Sequence, residues 1–455
     1  MKFSIFIALV RICVIAEMYD DDNYEEGDIS DAEDENDILY HLGSRTPYRF
    51  NANVDITDAK KETCPRKIWM FIRHGSIYPT KNEIKDMNNR LSIIQEMILD
   101  AHEGGGGVLA EEELELFDEW VPMIEDITKE KYLTLEGERE NIQLAQRMQK
   151  RYPTILKSKF SNATYKFRHA GSDRTQRSAQ AFAKGLFGKI KNVYLPRPTK
   201  EELQILKFYA KCTKWRNEVD DNLESLKERD LFETSETVKR AVEDTNMKLG
   251  LRDDDLSLED VKLMYKVCGF ETAWNESLIS PWCLGFNTET VEVFEYITDL
   301  RQYWFSGYGY EINYRQACST FNDMIKFFDD KNTTRRATLY FSNSGALLKV
   351  LSLLGLDRDK KRLLHSNYEA NSNRKYRTSA FDNFASNIAF ILHGCKNKQK
   401  VTVRQNEYII RLPVCPKTDS CSLSAIKRYY SDSIKNCNFT EICENLVDYD
   451  LSRFH

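Results

Sequence analysis

A short apolar run at residues 67–72 limits the possible folds of this chain more than any other feature. Its five residues after Lys67 are consecutive and apolar, and Lys67 and Arg73 flank them. This pattern is typical of a strand buried on both faces of a layered α/β domain. The strand is predicted to end at Arg73, His74 and Gly75. Helical apolar spacing at residues 83–102 and 138–151 predicts two helices after it.

The same alternation of strand and helix recurs on both sides of a long helix-rich segment. Strands are predicted at residues 165–168, 336–341, 387–393 and 401–412, and helices at 174–187 and 346–354. Residues 197–332 show no clear strand. We therefore expect an α/β sandwich domain, built from residues 46–196 and 333–455, with an inserted α-helical subdomain at 197–332.

The first residues are typical of a protein that enters the secretory pathway. Residues 1–16 contain Lys2, an apolar run and Arg11, which predicts a signal peptide, the alternatives being a buried first strand or a membrane anchor. The next segment, 17–45, begins with many acidic residues and is predicted to be a disordered tail. No later apolar run is long enough to span a bilayer, and residues 451–455 contain no retrieval signal for the endoplasmic reticulum. We expect secretion and no stable membrane anchor.

Cysteine residues and glycosylation motifs agree with that compartment. Ten cysteines follow the predicted signal peptide, an even set that allows up to five disulfides. Paired spacing typical of a zinc site is absent from the sequence, and we expect neither a metal nor another cofactor. We found no nucleic-acid-binding motif. The predicted glycosylation sites are Asn162, Asn275, Asn332 and Asn438.

The loop after the first strand carries the residues best suited to chemistry. Where a strand ends and a helix begins, free backbone N–H groups and the helix dipole favour an anion. Arg73 can bind phosphate with two hydrogen bonds, and the imidazole of His74 can attack phosphorus as a nucleophile. Taken alone, such a triplet is also compatible with an ordinary loop whose histidine is hydrogen-bonded.

Further motifs identify a family. The loop resembles the Arg-His-Gly-x-Arg-x-Pro signature of histidine acid phosphatases, and the stretch from Arg168 to Phe182 resembles that family's second phosphate-binding segment, with Arg174 as its arginine. Aromatic clusters at 280–283, 303–304 and 307–310, with residues 374–377 and 385–387, resemble the inositol polyphosphate phosphatase branch. The resemblance implies a phosphoglycerate-mutase-like α/β/α fold and a phosphorylated small molecule, such as an inositol polyphosphate, as ligand.

The same resemblance implies three of the disulfides. It pairs Cys64 with Cys395, Cys268 with Cys283, and Cys437 with Cys443. The partners of the other four cysteines stay open: Cys212, Cys318, Cys415 and Cys421.

The sequence departs from the family pattern at positions that the reaction requires. Ile77 stands where the signature has its second arginine, which removes a charged phosphate ligand. Asn343 and Gly345 stand where the family has a histidine and its proton-donating glutamate. Asn343 can still donate a hydrogen bond to phosphate. Asp173 is a possible replacement acid, although an ion pair with Arg174 or a helix N-cap is the favoured explanation of it.

Three interpretations follow. The first is a phosphatase of the inositol polyphosphate type in which hydrolysis through His74 is weak or lost. The second is a fully active phosphatase with an unrecognised proton donor. The third is a secreted, non-catalytic protein that binds an unknown protein partner.

Overall fold

Strand β1, Pro65–Arg73, forms at the apolar run and lies in the middle of the sheet. The computed structural model describes residues 37–395 and 398–444. The predicted signal peptide, residues 17–36 of the acidic tail, and residues 451–455 therefore lie outside the described residues. No helix in the described part of the chain is both long and apolar enough to cross a bilayer.

The strands form one mixed sheet. Strands β1 and β2 run parallel to β3, whereas β4 is antiparallel to β1 and begins the antiparallel half of the sheet. The order across the described sheet is β2, β3, β1, β4, β5, β6, and β7 also pairs with β5. The remaining strands are β2 Tyr165–His169, β3 Ala337–Ser342, β4 Asn387–Cys395, β5 Lys398–Gln405, β6 Tyr408–Ile410 and β7 Ser420–Ser422.

Helices cover the sheet and fill the segment between β2 and β3. In chain order they are α1 Tyr48–Asn51, α2 Lys81–Glu103, α3 Glu111–Asp118, α4 Leu135–Arg151, α5 Asp173–Phe187, α6 Lys200–Leu206, α7 Thr213–Trp215, α8 Lys227–Glu233, α9 Glu236–Lys248, α10 Leu258–Trp274, α11 Thr288–Phe305, α12 Glu311–Arg315, α13 Cys318–Asp329, α14 Ser344–Leu354, α15 Thr378–Phe381, α16 Leu423–Tyr429, α17 Ser431–Lys435 and α18 Phe439–Cys443. Short 3₁₀ turns lie at Asp37–Tyr40, Gly43–Arg45, Thr57–Lys61, Ile127–Lys129, Phe208–Lys211, Leu223–Leu226, Pro281–Cys283, His365–Asn367 and Glu369–Asn371, with a π turn at Arg216–Asp220.

Alternation along β1 gives the sheet two apolar faces. Met70 and Ile72 face a core that includes α4 and α5. Trp69 and Phe71 face a larger core that includes α13 and α14. Because successive side chains of a strand point to opposite faces, both faces of this strand are buried, as its continuous apolar run predicts. The predicted α/β/α fold is confirmed.

The helix-rich segment packs directly on the sheet. Residues 197–332 contain helices α6 to α13 and, among the described elements, no strand. Its apolar side chains share one core with the sheet, and Trp69 Nε1 donates to Asp323 Oδ2 across the contact at 3.0 Å. The boundaries of the subdomain stay a prediction, because this core is continuous.

The end of the predicted acidic tail is ordered, so the predicted range 17–45 was too long. Residues 37–45 form two 3₁₀ turns, and only 1% of Leu42 is exposed. The physical reason is local composition. The run of acidic residues ends at Asp37, and Ile38 and Leu42 then provide apolar surface that packs in the core.

The predicted strand 401–412 is a hairpin. It is broken between β5 and β6 by Asn406 and Glu407, whose φ angles are 46° and 72°. Two consecutive left-handed residues form a tight hairpin turn. The buried Glu407 carboxylate is held there by ion pairs with Arg147 and Arg151.

The structure corrects one disulfide and assigns others. The Cys268–Cys283 bridge is confirmed. The expected Cys437–Cys443 bridge is wrong, because the short helix α18 places the two cysteines against different helical segments. The observed bridges are Cys318–Cys437, Cys212–Cys443 and Cys415–Cys421.

Two other features of secretory proteins stay predictions. Cys64 is disulfide-bonded, but the side chain of its expected partner, Cys395, lies outside the described part of the chain. The asparagines of all four glycosylation motifs are exposed, which leaves them accessible to modification: Asn162, Asn275, Asn332 and Asn438.

Candidate functional site

The loop that follows β1 lies at the carboxyl edge of the parallel strands. Arg73 pairs in register with Ser342, the last residue of β3, and the His74 N–H donates to Ser342 O at 3.0 Å. Helix α5 begins after β2 at the same edge, and α14 begins after β3. The sheet topology therefore brings Arg73, Arg174 and the start of α14 together, where open α/β sheets bind ligands.

Glycine at position 75 allows this loop to contact helix α4. A Cβ on Gly75 would lie 2.7 Å from the Cα of Gly137 and 2.8 Å from Asn141 Nδ2, closer than non-bonded atoms approach. The Gly75 N–H donates to Ser178 Oγ at 3.1 Å, and the Ser76 N–H donates to Glu140 Oε2 at 2.8 Å. The loop is thus fixed from behind by α4 and α5.

His74 is held as a neutral imidazole. Only 4% of it is exposed, and Nδ1 lies 2.9 Å from Gly75 O. A carbonyl oxygen can only accept, so Nδ1 carries the proton and Nε2 keeps its lone pair. Burial lowers the pKa of His74 well below its usual value, and the charges of Arg174 and Arg73 lower it further.

Arg73 and Arg174 both have unused hydrogen-bonding capacity at the site. Arg73 Nη1 donates to the carbonyls of Ser44 and Asp382, and its guanidinium lies 4.8 Å from the Phe384 ring centre. Yet the Nε atoms of both arginines are buried without a hydrogen-bond partner among the described residues. Buried donors without partners are unfavourable, and an anion would satisfy them.

The start of α14 carries the residues that depart from the family pattern. Asn343 Oδ1 accepts from Arg174 Nη2 at 3.1 Å, so this predicted phosphate ligand contacts a predicted phosphate-binding arginine. Gly345 follows in the first turn, where a Cβ would meet only Ser306 Oγ, at 3.4 Å. Position 345 therefore has room for a side chain but presents no acid.

The other two positions in question also lie near the loop. Ile77 is half-buried, lines the pocket next to His74, and accepts a hydrogen bond from Trp274 Nε1 through its carbonyl. It brings an apolar side chain where the signature has a charge. Asp173 is exposed at the first residue of α5, where the helix dipole favours its carboxylate, and its role as a replacement acid stays a prediction.

A basic pocket of about 480 Å³ opens over His74. Among the described residues that line it, only two are acidic, and each pairs with two bases: Glu83 with Arg45 and Lys266, Glu233 with Lys262 and Arg229. The basic residues that line it are Arg45, Arg73, Lys131, Arg174, Arg229, Lys262, Lys266 and Arg301. Such an excess of positive charge favours a ligand with several negative charges.

Several residues of the site were not predicted from the sequence. Lys262 and Lys266 are four residues apart on α10, a spacing that places both on one helix face and could have been noticed. Arg301 and Asp382 come from distant segments, and local sequence gave no signal for them.

Comparisons with known proteins agree with this geometry. The family model described as "Histidine phosphatase superfamily (branch 2)" matches residues 66–414. Multiple inositol polyphosphate phosphatase 1 of Drosophila melanogaster is 30% identical over 391 residues, which cover 82% of this chain and 81% of that protein. The human protein of the same name is 27% identical over 407 residues, covering 84% and 82%.

Solved structures share the fold. The phytase from D. castellii matches with a TM-score of 0.70 and 18% identity, over 90% of this chain and 88% of the other. Multiple inositol polyphosphate phosphatase of Bifidobacterium longum, solved in complex with inositol hexasulfate, matches with a TM-score of 0.65 and 15% identity, over 87% and 98%. On the extent of the family match and the identity to its relatives, this chain belongs to branch 2 of the histidine phosphatase superfamily.

Proposed function

We propose that this protein binds inositol polyphosphates and similar phosphomonoesters in the basic pocket over His74, and that it hydrolyses them slowly or not at all. The observation that carries the proposal is the contrast between the phosphate-binding residues of the pocket and position 345 in the first turn of α14. Arg73, His74 and Arg174 are in place around the pocket, whereas Gly345 offers no acid. The names of the relatives and the inositol hexasulfate bound to one of them support this class of ligand.

Phosphate binding follows from the charges. A phosphate group beside His74 would accept charge-assisted hydrogen bonds from the guanidinium groups of Arg73 and Arg174, both of which line the pocket. Charge-assisted bonds of this kind are about twice as strong as neutral ones. The basic side chains farther out, including Lys262 and Lys266, would bind the remaining phosphates of a polyphosphorylated ring.

The nucleophile is suited to covalent chemistry. With its proton on Nδ1, His74 presents the Nε2 lone pair, which attacks phosphorus and displaces the alkoxide of the substrate. Water then hydrolyses the phosphohistidine and regenerates the imidazole. In the first of these two steps, the alkoxide leaves slowly unless an acid protonates it.

Slow turnover follows from what is missing. A positioned general acid contributes roughly 10²–10⁴-fold in rate, and Gly345 cannot supply one. Because Ile77 stands in place of an arginine, the transferring phosphoryl group also lacks one positively charged contact. These effects reduce the rate of the chemical step more than the affinity for the ligand.

We also propose that the protein is secreted. The signal-like residues 1–16 support this, and so do the four disulfides formed between described cysteines. Oxidising compartments are where such bridges persist.

Calorimetric titration with inositol hexakisphosphate, at low and at high salt, tests the binding proposal. We expect binding that weakens with salt and that Arg174→Met reduces about 10- to 100-fold, the loss of one or two charge-assisted hydrogen bonds. The matched control is Arg411→Met, because Arg411 is exposed, pairs with Asp419 and lies outside the pocket. Equal affinity in both variants, or no binding by the unmodified protein, would overturn the proposal.

A further inference from the structure

A buried carboxylate lies between Arg73 and the start of α14. Asp382 follows α15 and is fully buried. Its Oδ2 accepts a hydrogen bond from Ser344 Oγ at 2.7 Å, and its Oδ1 lies 3.6 Å from Arg73 Nη1. Oδ1 has no hydrogen-bond partner in the described part of the chain. Neither the sequence motifs nor the proposed binding of phosphate uses this acid.

The hydroxyl that contacts Asp382 lies at the deficient end of the site. Ser344 is the first residue of α14, between Asn343, which contacts Arg174, and Gly345, which lacks the acid. It is half-buried, whereas Asp382 is closed off from solvent. The pair thus joins a buried proton source to a partly exposed hydroxyl in the helix turn where a proton is needed.

We propose that Asp382 and Ser344 form a proton relay that takes the place of the acid missing at Gly345. The proposal rests on the proposed function and deepens it, because it assigns the proton donor for the slow hydrolysis. Asp382 acts through Ser344 and is a positioning residue, whereas the Ser344 hydroxyl is the group that would contact the leaving oxygen.

The protons balance over the two half-reactions. When Asp382 is protonated on Oδ2, this acid donates to Ser344 Oγ, the reverse of the hydrogen bond that its carboxylate accepts, and the Ser344 hydroxyl can then donate to the leaving oxygen. As His74 Nε2 bonds to phosphorus and the P–O bond to the alcohol breaks, the Ser344 hydroxyl gives its proton to the leaving oxygen and takes one from Asp382. Asp382 is left as the carboxylate. When water attacks the phosphohistidine, its proton passes through Ser344 back to Asp382, and inorganic phosphate and neutral His74 are released.

The surroundings of Asp382 keep its carboxyl group protonated at acidic pH. Arg73 faces it from β1, Ser344 from α14, Arg301 from α11, and Tyr376 from the segment before α15. Burial raises the pKa of Asp382 to about 6, against the opposing effects of Arg73, Ser344 and Arg301. Asp382 is therefore protonated below that pH and loses its proton as the pH rises through it. Because the relay needs this proton, kcat should fall over the same pH range.

Two substrates with different leaving groups test the relay. The leaving group of an inositol polyphosphate is an alkoxide, which needs a proton. The leaving group of 2,4-dinitrophenyl phosphate is a stable phenolate, which needs none. We expect Asp382→Asn and Ser344→Ala each to lower kcat for inositol hexakisphosphate by roughly 10²-fold, with little change for the dinitrophenyl ester. Asp382→Asn should also remove the fall of kcat near the pKa of Asp382.

Asp357→Asn is the matched control. Burial raises the pKa of Asp357 to about 6 as well, but this carboxylate accepts its hydrogen bond from Gln405, whereas Asp382 contacts Ser344 and Arg73. It should leave kcat for both substrates unchanged. Thermal unfolding of each variant shows whether it folds. If Asp382→Asn does not fold, Ser344→Ala still tests the relay.

Other outcomes would overturn the relay. Equal losses on both substrates would show a structural role, and unchanged kcat in both variants would show no role. Absence of any turnover by the unmodified protein would also overturn the relay, whereas the titration with inositol hexakisphosphate would still report whether the proposed ligand binds.

Discussion

Two halves of the same site differ in how many of the family's functional residues they retain. The half that would hold phosphate contains Arg73, His74 and Arg174, carried by β1 and α5 and fixed by tight contacts with α4. The half that would serve the leaving group is the start of α14, where Gly345 leaves a space without an acid. Because different elements carry the two halves, one can change while the other is retained.

The difference separates affinity from rate. Contacts to the phosphate groups act in the bound ground state as well as in the transition state, whereas protonation of the leaving group matters only as the P–O bond breaks. A chain with one intact half and one deficient half should bind well and react slowly. Each prediction below alters one half and asks whether the other responds.

The largest expected effect is on the nucleophile. His74→Ala should reduce any hydrolysis of inositol hexakisphosphate by roughly 10³-fold or more, to background, because the covalent intermediate forms on the imidazole of His74. Affinity should change little, since His74 is held as a neutral imidazole. Rapid quench with labelled substrate should trap phosphohistidine in the unmodified protein. Hydrolysis that persists in the variant would show that the reaction uses another group.

A smaller effect is expected from restoring the missing arginine. Ile77 lines the pocket beside His74, so Ile77→Arg should strengthen binding of inositol hexakisphosphate about tenfold through one more charge-assisted contact. Ile77→Gln, similar in length but uncharged, is the control. Calorimetry measures both. An affinity unchanged by the arginine would mean that position 77 does not reach the ligand.

The smallest effect concerns stability behind the phosphate-holding half. Burial raises the pKa of Glu140 to about 8, so the folded state keeps a proton that the unfolded chain loses above its usual pKa. Stability is therefore lost as pH rises between those two values. Glu140→Gln should remove this loss, which is on the order of 3 kcal/mol, as urea unfolding at about pH 5 and about pH 8 would show.

Glu138→Gln is the control for that measurement, because Glu138 is only partly buried and pairs with Arg177. It should leave the pH dependence in place. A pH dependence that survives in Glu140→Gln would mean that another group, and not the acid behind the Ser76 N–H, sets it.

Sequence patterns predicted much of this molecule because the signals were local. The continuous apolar run of β1 and the helical spacing of α2 and α4 placed the sheet and its neighbours. Arg73 and His74 followed from their position after a strand. The hairpin at Asn406 was missed because its left-handed turn depends on Glu407, which distant arginines hold in place.

The sequence could not predict contacts between segments that are far apart in the chain. The contact of Asp382 with Ser344 and Arg73 joins three elements that are adjacent only in the folded chain. The error at Cys437 has the same origin, since its partner Cys318 is 119 residues away, on α13. The family resemblance implied the wrong partner for Cys437, and it said nothing of the Asp382 contact.

Adding the missing acid tests the central claim most directly. A Cβ at position 345 would make only an ordinary van der Waals contact with Ser306 Oγ, and an acidic residue in the first turn of α14 is favoured by the helix dipole. We predict that Gly345→Glu raises kcat for inositol hexakisphosphate by roughly 10²-fold while its affinity stays the same, and that Gly345→Gln does not raise kcat. An unchanged kcat in Gly345→Glu would contradict the claim that this half of the site limits the reaction.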